Sequence, residues 1–396
     1  MVFSGYQWTY FTSLAPGSFR TRAELFLTAV DWPSLLKYVA EKRCGIDCML
    51  LPDIGLGYNH MVRILEFADN VRWVARLRMP PLGKSEYDQS ALKIAMGCEI
   101  NASSLVQRKT SIPIPQIHAF EVSSDCSVKA PFMVMDCLEG NVGMDLDMKI
   151  PTEYKEDFFK NLAKVHVQLS GVQLPRIGTF LSINEDGTYL QGPIPGLGGP
   201  FDTACQFFEA WATNIEFGSP EDKIRAASGQ YADELLPSIS SFKEAIHRLA
   251  GRLSIRNHGP FPLCHGDFGH NNIIVDDQYH ILGVIDWETA YAGPWEIFAD
   301  FPLTLSAVPR AMDAPWNYDE DGTPKNASTL RQFADRRDYV AFVRQAEEDS
   351  GGNGHTLSEV LENPEKQQLI TAMRLYQEGK AGWYGKLIDE VLTDGL

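Results

Sequence analysis

Two neighbouring segments in the C-terminal half of the chain decide its fold. The first reads Leu263-Cys264-His265-Gly266-Asp267-Phe268-Gly269-His270-Asn271-Asn272-Ile273-Ile274-Val275-Asp276. The second reads Leu282-Gly283-Val284-Ile285-Asp286-Trp287-Glu288. They place the carboxylate of Asp267 five residues before the carboxamide of Asn272, and a second carboxylate, Asp286, at the end of the next predicted strand. Phosphoryl transfer from a nucleotide uses such a set, because one carboxylate orients the acceptor hydroxyl while an amide oxygen and another carboxylate hold Mg²⁺.

Simpler interpretations of these polar residues are less satisfactory. Asp267 or Asn272 alone could be a turn former, but the three residues together at this spacing favour a functional site. A rival phosphate-binding motif, Gly83-Lys84-Ser85, resembles the end of a P-loop. That motif needs a glycine five residues earlier, where the chain has Arg78, and Pro80-Pro81 removes backbone N–H groups that a phosphate would need.

A dinuclear metal site of a phosphoesterase is a second alternative. Its ligands in this segment would be His265, Asp267, His270 and Asp286. Such a site needs further His or Asn ligands downstream. After His280 the only histidine in the sequence is His355, in a stretch rich in Gly and Asn, so we disfavour this alternative.

The two segments resemble the aminoglycoside phosphotransferase and choline kinase family, whose fold is similar to that of protein kinases. The family pattern is H-G-D, four residues, N, and then I-D-W or I-D-F after a short hairpin, and this chain matches both halves. The resemblance implies that Asp267 is the catalytic base and that Asn272 and Asp286 hold Mg²⁺. It implies a scaffold role in the catalytic loop for His265.

The same resemblance assigns a nucleotide-binding role to residues in the N-terminal half. Gly55 and Gly57, between Pro52 and the first predicted strand, resemble the short loop that positions the nucleotide, although an ordinary hairpin turn is the competing interpretation. Arg76 falls where the family has a basic residue that reaches the donor phosphates, in place of the lysine of protein kinases. Arginine can bind phosphate bidentately. Glu99 matches the glutamate that pairs with this residue, with a solvated helix face as the alternative.

The segment Met135-Asp136-Cys137-Leu138 resembles the gatekeeper and hinge of the family. There the backbone C=O of Asp136 and the backbone N–H of Leu138 would recognise the adenine. Residues 177–179 and 187–193 resemble a hairpin insertion found in a fungal branch of the family. The resemblance covers roughly residues 50–310, and the segments on either side of that range carry no recognisable motif.

The order of the predicted elements indicates an α+β fold. Alternating residues predict strands over 61–67 and 71–77, whereas helical spacing predicts helices that include residues 23–40, 91–108, 152–169, 201–217, 231–253 and 367–392. With the resemblance, this order predicts a two-lobed protein-kinase-like fold with a small β-rich N-lobe and a larger, mainly helical C-lobe. We expect an N-terminal helical extension over 1–50, a nucleotide-binding N-lobe over 51–137 and a catalytic and substrate-binding C-lobe over 138–396.

Composition excludes several classes of function. The chain has 396 residues, with 52 acidic against 35 basic side chains and a formal net charge of −17. Binding to a nucleic-acid polymer needs clustered Lys and Arg, so we do not expect it. No apolar run is long enough to span a bilayer, and we expect no membrane partner. The scattered cysteines and the lack of a signal peptide predict a cytoplasmic protein with reduced thiols.

The sequence therefore predicts a small-molecule kinase that uses ATP and Mg²⁺ to phosphorylate a hydroxyl group. A nucleotide-binding pseudokinase or regulatory module is the main alternative, and a protein kinase is a weaker one because no D-F-G and A-P-E activation segment follows Asp286. Aromatic and acidic residues that could line an acceptor pocket for a cationic amine are Trp211, Glu216, Trp295, Glu296, Trp316 and Asp319. For each of these taken singly, core packing or a solvated surface is the competing interpretation.

Overall fold

The computed structural model describes residues 3–84, 87–184, 186–351 and 356–393. Ser85 and His355, which entered the sequence analysis, lie outside these residues. The chain forms two compact units. The first comprises Met1–Ser103, Ile112–Tyr154 and His270–Glu288, and the second comprises Ser104–Ser111, Lys155–Gly269 and Thr289–Leu396. The division of the chain at residues 50 and 137 into functional lobes stays a prediction.

The elements are numbered in chain order. The strands are β1 Cys48–Leu56, β2 His60–Phe67, β3 Arg72–Arg78, β4 Ile117–Glu121, β5 Phe132–Asp136, β6 Gln173–Leu174, β7 Thr179–Ile183, β8 Tyr189–Gly192, β9 Phe261–Cys264, β10 Ile273–Val275, β11 Ile281–Val284 and β12 Tyr291–Ala292. The helices are α1 Ser18–Ala29, α2 Trp32–Lys42, α3 Gln89–Lys109, α4 Thr152–Ser170, α5 Ala204–Asn214, α6 Glu221–Ser228, α7 Ala232–Leu253, α8 Trp295–Phe298, α9 Ala327–Asp349, α10 Thr356–Glu362, α11 Pro364–Gln377 and α12 Tyr384–Thr393.

The first unit is built on an antiparallel five-stranded sheet with the order β1-β2-β3-β5-β4. The predicted hairpin is present as β2 and β3, but β1 precedes it, so the expectation that the first strand begins after the glycine pair is wrong. The pairing of β1 with β2 shifts register between Leu50 and Ile54. This irregularity accommodates Pro52, which lacks a backbone N–H, on an edge strand and obscures the alternation that would have predicted β1.

The two faces of this sheet have different partners. Alternate residues of β2 and β3 belong to a core that also contains residues of α1 and α2; these strand residues are Met61, Leu65, Phe67, Trp73, Ala75 and Leu77. The other face of β3 carries Arg72, Val74, Arg76 and Arg78, because successive side chains of a strand point to opposite faces. The predicted helical stretch 23–40 is divided into α1 and α2, since the side chain of Asp31 caps α2 by accepting a hydrogen bond from the backbone N–H of Ser34.

The second unit is mainly helical, and helices that the sequence predicted over 152–169, 201–217 and 231–253 are present as α4, α5 and α7. The stretch 367–392 forms two helices, α11 and α12, in place of one. A short sheet with the order β12-β9-β6 and the hairpin β7–β8 complete the unit. An α+β chain with a sheet-based unit and a helical unit is therefore confirmed. Within the described residues, no helix has both the length and the hydropathy required to cross a bilayer.

Candidate active site

The first unit brings together three residues that the sequence singled out. Arg76 on β3 donates hydrogen bonds to Glu99 on α3 and, over 2.6 Å from Nη2 to Oδ1, to Asp286 beyond β11. The side chain of Glu99 is 6% exposed and that of Arg76 is 13% exposed. Charged hydrogen bonds at such burial are stronger than those in water, so the guanidinium is fixed between the two carboxylates.

The electrostatics of this cluster follow from burial and from the surplus of acids. Burial alone would lower the pKa of Arg76, but the carboxylates of Glu99, Asp286 and Glu288 outweigh it and hold that pKa above its ordinary value. Burial raises the pKa of Glu99, an effect that the charge of Arg76 opposes. Arg76 is therefore permanently cationic, whereas its charge opposes without cancelling the upward shift that burial imposes on the pKa of Glu99.

A second pair, Arg78 and Glu288, extends the cluster, and the sequence analysis assigned no role to either residue. Arg78 lies two residues after Arg76 on the same face of β3, and its guanidinium donates to the Glu288 carboxylate. The sequence contained a signal for this second pair: Glu288 follows Asp286 by two residues, just as Arg78 follows Arg76. The structure thus sets two arginines against three carboxylates.

The carboxylates of this cluster suit a hard divalent cation. Glu99, Asp286 and Glu288 each offer an oxygen, and these atoms lie within 4.8 Å of one another. Oxygen ligands of this kind are what Mg²⁺ prefers, usually through one or two carboxylates together with substrate phosphates. The donor set fits the predicted metal, with Asp286 the least buried of the three carboxylates: its side chain is 30% exposed.

The backbone around Asp286 is unusual. Asp286 has a φ of 68°, in the left-handed region that residues with a Cβ rarely adopt. The preceding N–H, of Ile285, donates to the backbone carbonyl of Asn272 at 3.0 Å. The predicted metal ligands therefore lie at the same end of one hairpin, with Asn272 just before β10 and Asp286 two residues after β11. Strained conformations of this kind concentrate at ligand-binding positions.

Asp267 lies in the second unit, on the loop that follows β9. His265 is buried, and its Nδ1 accepts a hydrogen bond of 3.4 Å from the backbone N–H of Asp267. Gly266 between them has a φ of 86°, and a Cβ at this position would lie 2.5 Å from the carbonyl oxygen of Thr289. Thr289 Oγ1 donates to the carbonyl of His265 at 3.2 Å. The shape of the loop that carries Asp267 therefore explains why a histidine and a glycine precede it.

The predicted hinge residues lie at the end of β5 and just beyond it. Met135 is buried opposite Val74 of β3. The backbone N–H of Asp136 donates to the carbonyl of Gln116 at 3.0 Å, and its carboxylate lies 2.7 Å from His118 Nε2. The carbonyl of Leu138 accepts a hydrogen bond of 3.1 Å from the hydroxyl of Tyr6.

The glycine pair is arranged differently from the expectation of a loop. Gly55 lies within β1, opposite Val62, which in turn lies opposite Arg76. Only Gly57 lies in the turn, where its N–H donates to the carbonyl of His60 at 2.9 Å. The two strand pairings nevertheless place Gly55 in line with Arg76 across the sheet.

A cavity of about 220 Å³ in the second unit adjoins the loop of Asp267, since Gly266 and Phe268 both line it. Aromatic side chains, among them Phe207, Trp211 and Tyr291, contribute much of its wall. Two charged residues also line it, and they form an ion pair: Arg374 Nε lies 2.9 Å from an Asp300 carboxylate oxygen. The cavity is therefore largely apolar, with its acid and base neutralising each other.

The residues predicted to form an acidic, aromatic acceptor pocket are dispersed. Trp211 lines the cavity, but Glu216 forms an ion pair with Lys243 and Trp316 is half exposed beside Tyr231. The other three lie outside the cavity lining as well: Trp295, Glu296 and Asp319. Glu296 is fully buried and accepts a hydrogen bond from a backbone N–H. Of these six residues, Trp211 is therefore the one that lines the cavity beside the Asp267 loop, and an acceptor pocket for a cationic amine stays a prediction.

Comparisons with known proteins identify similar chains. A model of the phosphotransferase enzyme family matches residues 68–317. The clavilactone A biosynthesis cluster protein Y of Ampulloclitocybe clavipes is 24% identical over 262 residues, which are 62% of this chain and 60% of that protein. The match thus spans less than two thirds of the length of this relative.

Solved structures resemble the chain along most of its length. A protein provisionally described as a fructosamine-3-kinase, from Haemophilus somnus 129PT, is 14% identical, with a TM-score of 0.50 over 93% of this chain and 99% of that one. A thermostable mutant of aminoglycoside phosphotransferase, in a ternary complex with AMP-PNP and hygromycin B, is 16% identical. Its TM-score is 0.48, and the likeness covers 91% of this chain and 98% of that one. At 14% identity and a TM-score of 0.50, the first of these likenesses establishes the fold alone, which is the predicted protein-kinase-like one.

Proposed function

This chain belongs to the phosphotransferase enzyme family, and we propose that it transfers the γ-phosphoryl group of ATP to a hydroxyl group of a small molecule. The cluster of Arg76, Glu99 and Asp286 is the observation that carries the proposal. Within one unit it brings together Arg76, the cation proposed to bind phosphate, and Glu99, its buried counter-ion. The third member, Asp286, offers a carboxylate from a strained backbone conformation. Phosphoryl transfer relies on positioning and on charge stabilisation, which such a cluster provides.

Each residue has a distinct role in this proposal. Asp267 accepts the proton of the acceptor hydroxyl and orients its oxygen towards the γ-phosphorus. Asp286 and Asn272 would supply oxygen ligands to Mg²⁺, which would offset the negative charge that develops on the donor phosphates. Arg76, held by Glu99, contacts the donor phosphates. The backbone of Asp136 and Leu138 recognises the adenine, and Gly55 and Gly57 allow the chain to approach the phosphates.

The cavity beside the Asp267 loop favours a neutral acceptor with an apolar or aromatic body. An unpaired carboxylate would attract a cation, but Asp300 is occupied by Arg374 and also accepts a 3.0 Å hydrogen bond from Thr371. Placing an ammonium group there would remove it from water without offering it a free counter-charge. The proposed substrate class therefore differs from the amine or quaternary ammonium that the sequence suggested.

Product formation tests the proposal. The protein is incubated with ATP, Mg²⁺ and matched pairs of hydroxyl compounds, one neutral and one carrying an amine, and phosphorylated products are detected by mass spectrometry. We expect products that require Mg²⁺ and that form fastest from neutral aromatic alcohols. Nucleotide binding without any turnover would favour the pseudokinase alternative, and a failure to bind nucleotide would overturn both.

A further inference from the structure

Residues 3–10, here called the N-terminal strap, lie along the parts of the first unit that are proposed to bind the nucleotide. The strap precedes every helix of the chain, and its sequence carries no helical or alternating pattern, although it is rich in aromatic residues: Phe3, Tyr6, Trp8 and Tyr10. Its contacts run from the turn between β10 and β11, past the segment that follows β5, to the end of β1.

One end of the strap is fixed to the hairpin turn and the hinge. Ser4 donates two hydrogen bonds to the carboxylate of Asp277, at 2.8 and 2.7 Å. The Tyr6 hydroxyl donates to the carbonyl of Leu138 at 3.1 Å and lies 3.2 Å from Cys137 Sγ. Burial, together with Cys137, raises the pKa of Tyr6, so its hydroxyl stays protonated and able to donate.

The middle of the strap is held by Asn141, just beyond the hinge. The backbone N–H of Gln7 donates to Asn141 Oδ1 at 2.7 Å, and Asn141 Nδ2 donates to the carbonyl of Gly5 at 3.1 Å. Asn141 is 3% exposed. A buried side chain that satisfies both its donor and its acceptor on the strap backbone makes this a defined docking position.

The other end of the strap covers the glycine pair. The backbone N–H of Leu56 donates to the carbonyl of Thr9 at 3.1 Å, and Tyr10 forms an isolated bridge with Gly55. The indole of Trp8 is so close that a Cβ on Gly55 would lie 2.6 Å from it. Gly55 therefore accommodates Trp8 at the place where a nucleotide phosphate was expected to approach.

The strap also lies on the face of the sheet that carries Arg76. A cavity between the strap and the sheet is lined by Tyr6, Tyr10, Ile64 and Arg72, among others. Ile64 lies opposite Val74, and Arg72 lies on β3 at an even interval from Arg76, so both share its face. The helices α1 and α2 pack on the opposite face.

We infer that the strap is an intrachain occupant of the nucleotide site, and that ATP binds by displacing it. The inference rests on the proposed function, because it takes the hinge and Gly55 as nucleotide contacts. The Tyr6 hydroxyl lies against the backbone of Leu138, the residue whose N–H is the proposed adenine contact, and Trp8 packs directly on Gly55. A bound nucleotide needs the space around both residues. Its closed state lowers the apparent affinity for nucleotide in proportion to the fraction of molecules in which the strap is docked.

Hydrogen exchange on the full chain tests the inference without any substitution. Adding AMP-PNP and Mg²⁺ should accelerate amide exchange in residues 3–10 while it slows exchange around residues 135–138. If the strap were instead a lid that closes over bound nucleotide, exchange in residues 3–10 would slow, and the inference would be wrong.

A truncation provides the second measurement. A form that lacks residues 1–10 should bind AMP-PNP with Mg²⁺ at least about fivefold more tightly in calorimetry, and Trp8→Ala should show part of this gain. Phe120→Ala, which removes an exposed aromatic ring of the same unit, serves as the control and should leave affinity unchanged. Equal or weaker binding by the truncated form overturns the strap inference alone. Absence of binding in every form would overturn the proposed function with it.

Discussion

Arg76 and Asp286 are 210 positions apart in the chain, yet Nη2 of the first lies 2.6 Å from Oδ1 of the second. The other terminal nitrogen of the same guanidinium, Nη1, donates a hydrogen bond to the Glu99 carboxylate. One arginine therefore links β3, α3 and the segment after β11. The planar guanidinium has several donors in a fixed arrangement, so it contacts both carboxylates at once.

Removal of Arg76 should destabilise the protein strongly. Arg76→Ala leaves Glu99 buried without its counter-ion, a situation that typically costs about 3–5 kcal/mol. Chemical denaturation would measure this loss. Arg72→Ala is the matched control, since Arg72 lies on the same strand and forms its ion pair with Glu66 at a more exposed position, where about 0–1 kcal/mol is expected. Similar losses for the two variants would contradict the structural role assigned to Arg76.

Substitution of Asp267 should separate binding from catalysis. Asp267→Asn keeps the shape of the loop but removes the proton acceptor, so turnover should fall by about 10²–10⁴, the usual contribution of a general base. Affinity for AMP-PNP should be preserved. Steady-state rates with any productive acceptor measure the first effect and calorimetry the second. Asp157→Asn, at an exposed position on α4, is the control. Turnover by Asp267→Asn at the parental rate would remove Asp267 from the mechanism.

The glycine of the Asp267 loop should not tolerate a side chain. Gly266→Ala combines a positive φ with a Cβ placed 2.5 Å from the Thr289 carbonyl oxygen. Gly187→Ala isolates the first effect, because Gly187 has a φ of 80° with nothing within 4 Å of an added Cβ. We expect a cost of about 1 kcal/mol for Gly187→Ala and clearly more for Gly266→Ala, measured by thermal unfolding. Equal costs would mean that the loop can move away from Thr289.

Acidification should destabilise the second unit through His166. Burial lowers the pKa of His166 from its ordinary 6.5 to about 4, while its ring nitrogens contact the Tyr339 hydroxyl and the Phe298 carbonyl. Between these two pH values the unfolded chain binds a proton that the folded chain does not. Stability is therefore retained above pH 6.5 and lost as the pH falls towards 4, by about 3 kcal/mol from this group.

The His166→Gln variant checks that assignment. It should be less stable than the parent near neutral pH, but its unfolding free energy should vary less between pH 6.5 and 4, since glutamine does not titrate. Denaturation curves recorded across this pH range give the difference between the two slopes. An unchanged slope would show that His166 does not contribute to the acid sensitivity.

The proposed preference for a neutral acceptor should be inverted by a substitution at Arg374. Arg374→Met removes the counter-ion of Asp300, so the cavity gains an unpaired carboxylate. The ratio of kcat/KM for an amino alcohol to that for its neutral counterpart should rise by about tenfold or more, since a buried charge attracts an opposite one strongly. A ratio that stays constant would show that acceptors do not enter this cavity.

The sequence was sufficient to predict the fold class, because a short, specific motif and ordinary periodicities pointed to the same architecture. The contact between Arg76 and Glu99 was also foreseen from the resemblance. β1 was missed, since Pro52 and the register shift after Leu50 interrupt its alternation. The propensities of single segments cannot reveal such an irregular strand.

The charge of the acceptor cavity and the position of the strap could not be predicted for a different reason. Asp300 and Arg374 are 74 positions apart, and Tyr6 and Leu138 are 132 apart, so neither contact leaves a local pattern. Composition alone does not tell which carboxylates in a segment already have a cationic partner. The structure shows that Glu216 and Asp300 already have cationic partners, and the proposed preference for a neutral acceptor rests on the second of these pairs.

Calorimetric titration of this chain with AMP-PNP, in Mg²⁺ and then in EDTA, tests the central claim most directly. The account predicts that Mg²⁺ tightens binding by at least about tenfold, as expected for a site in which carboxylates and phosphates share the ion, and that Asp286→Asn abolishes this difference. Binding that is indifferent to Mg²⁺, or an Asp286→Asn variant that retains the full Mg²⁺ dependence, would contradict it.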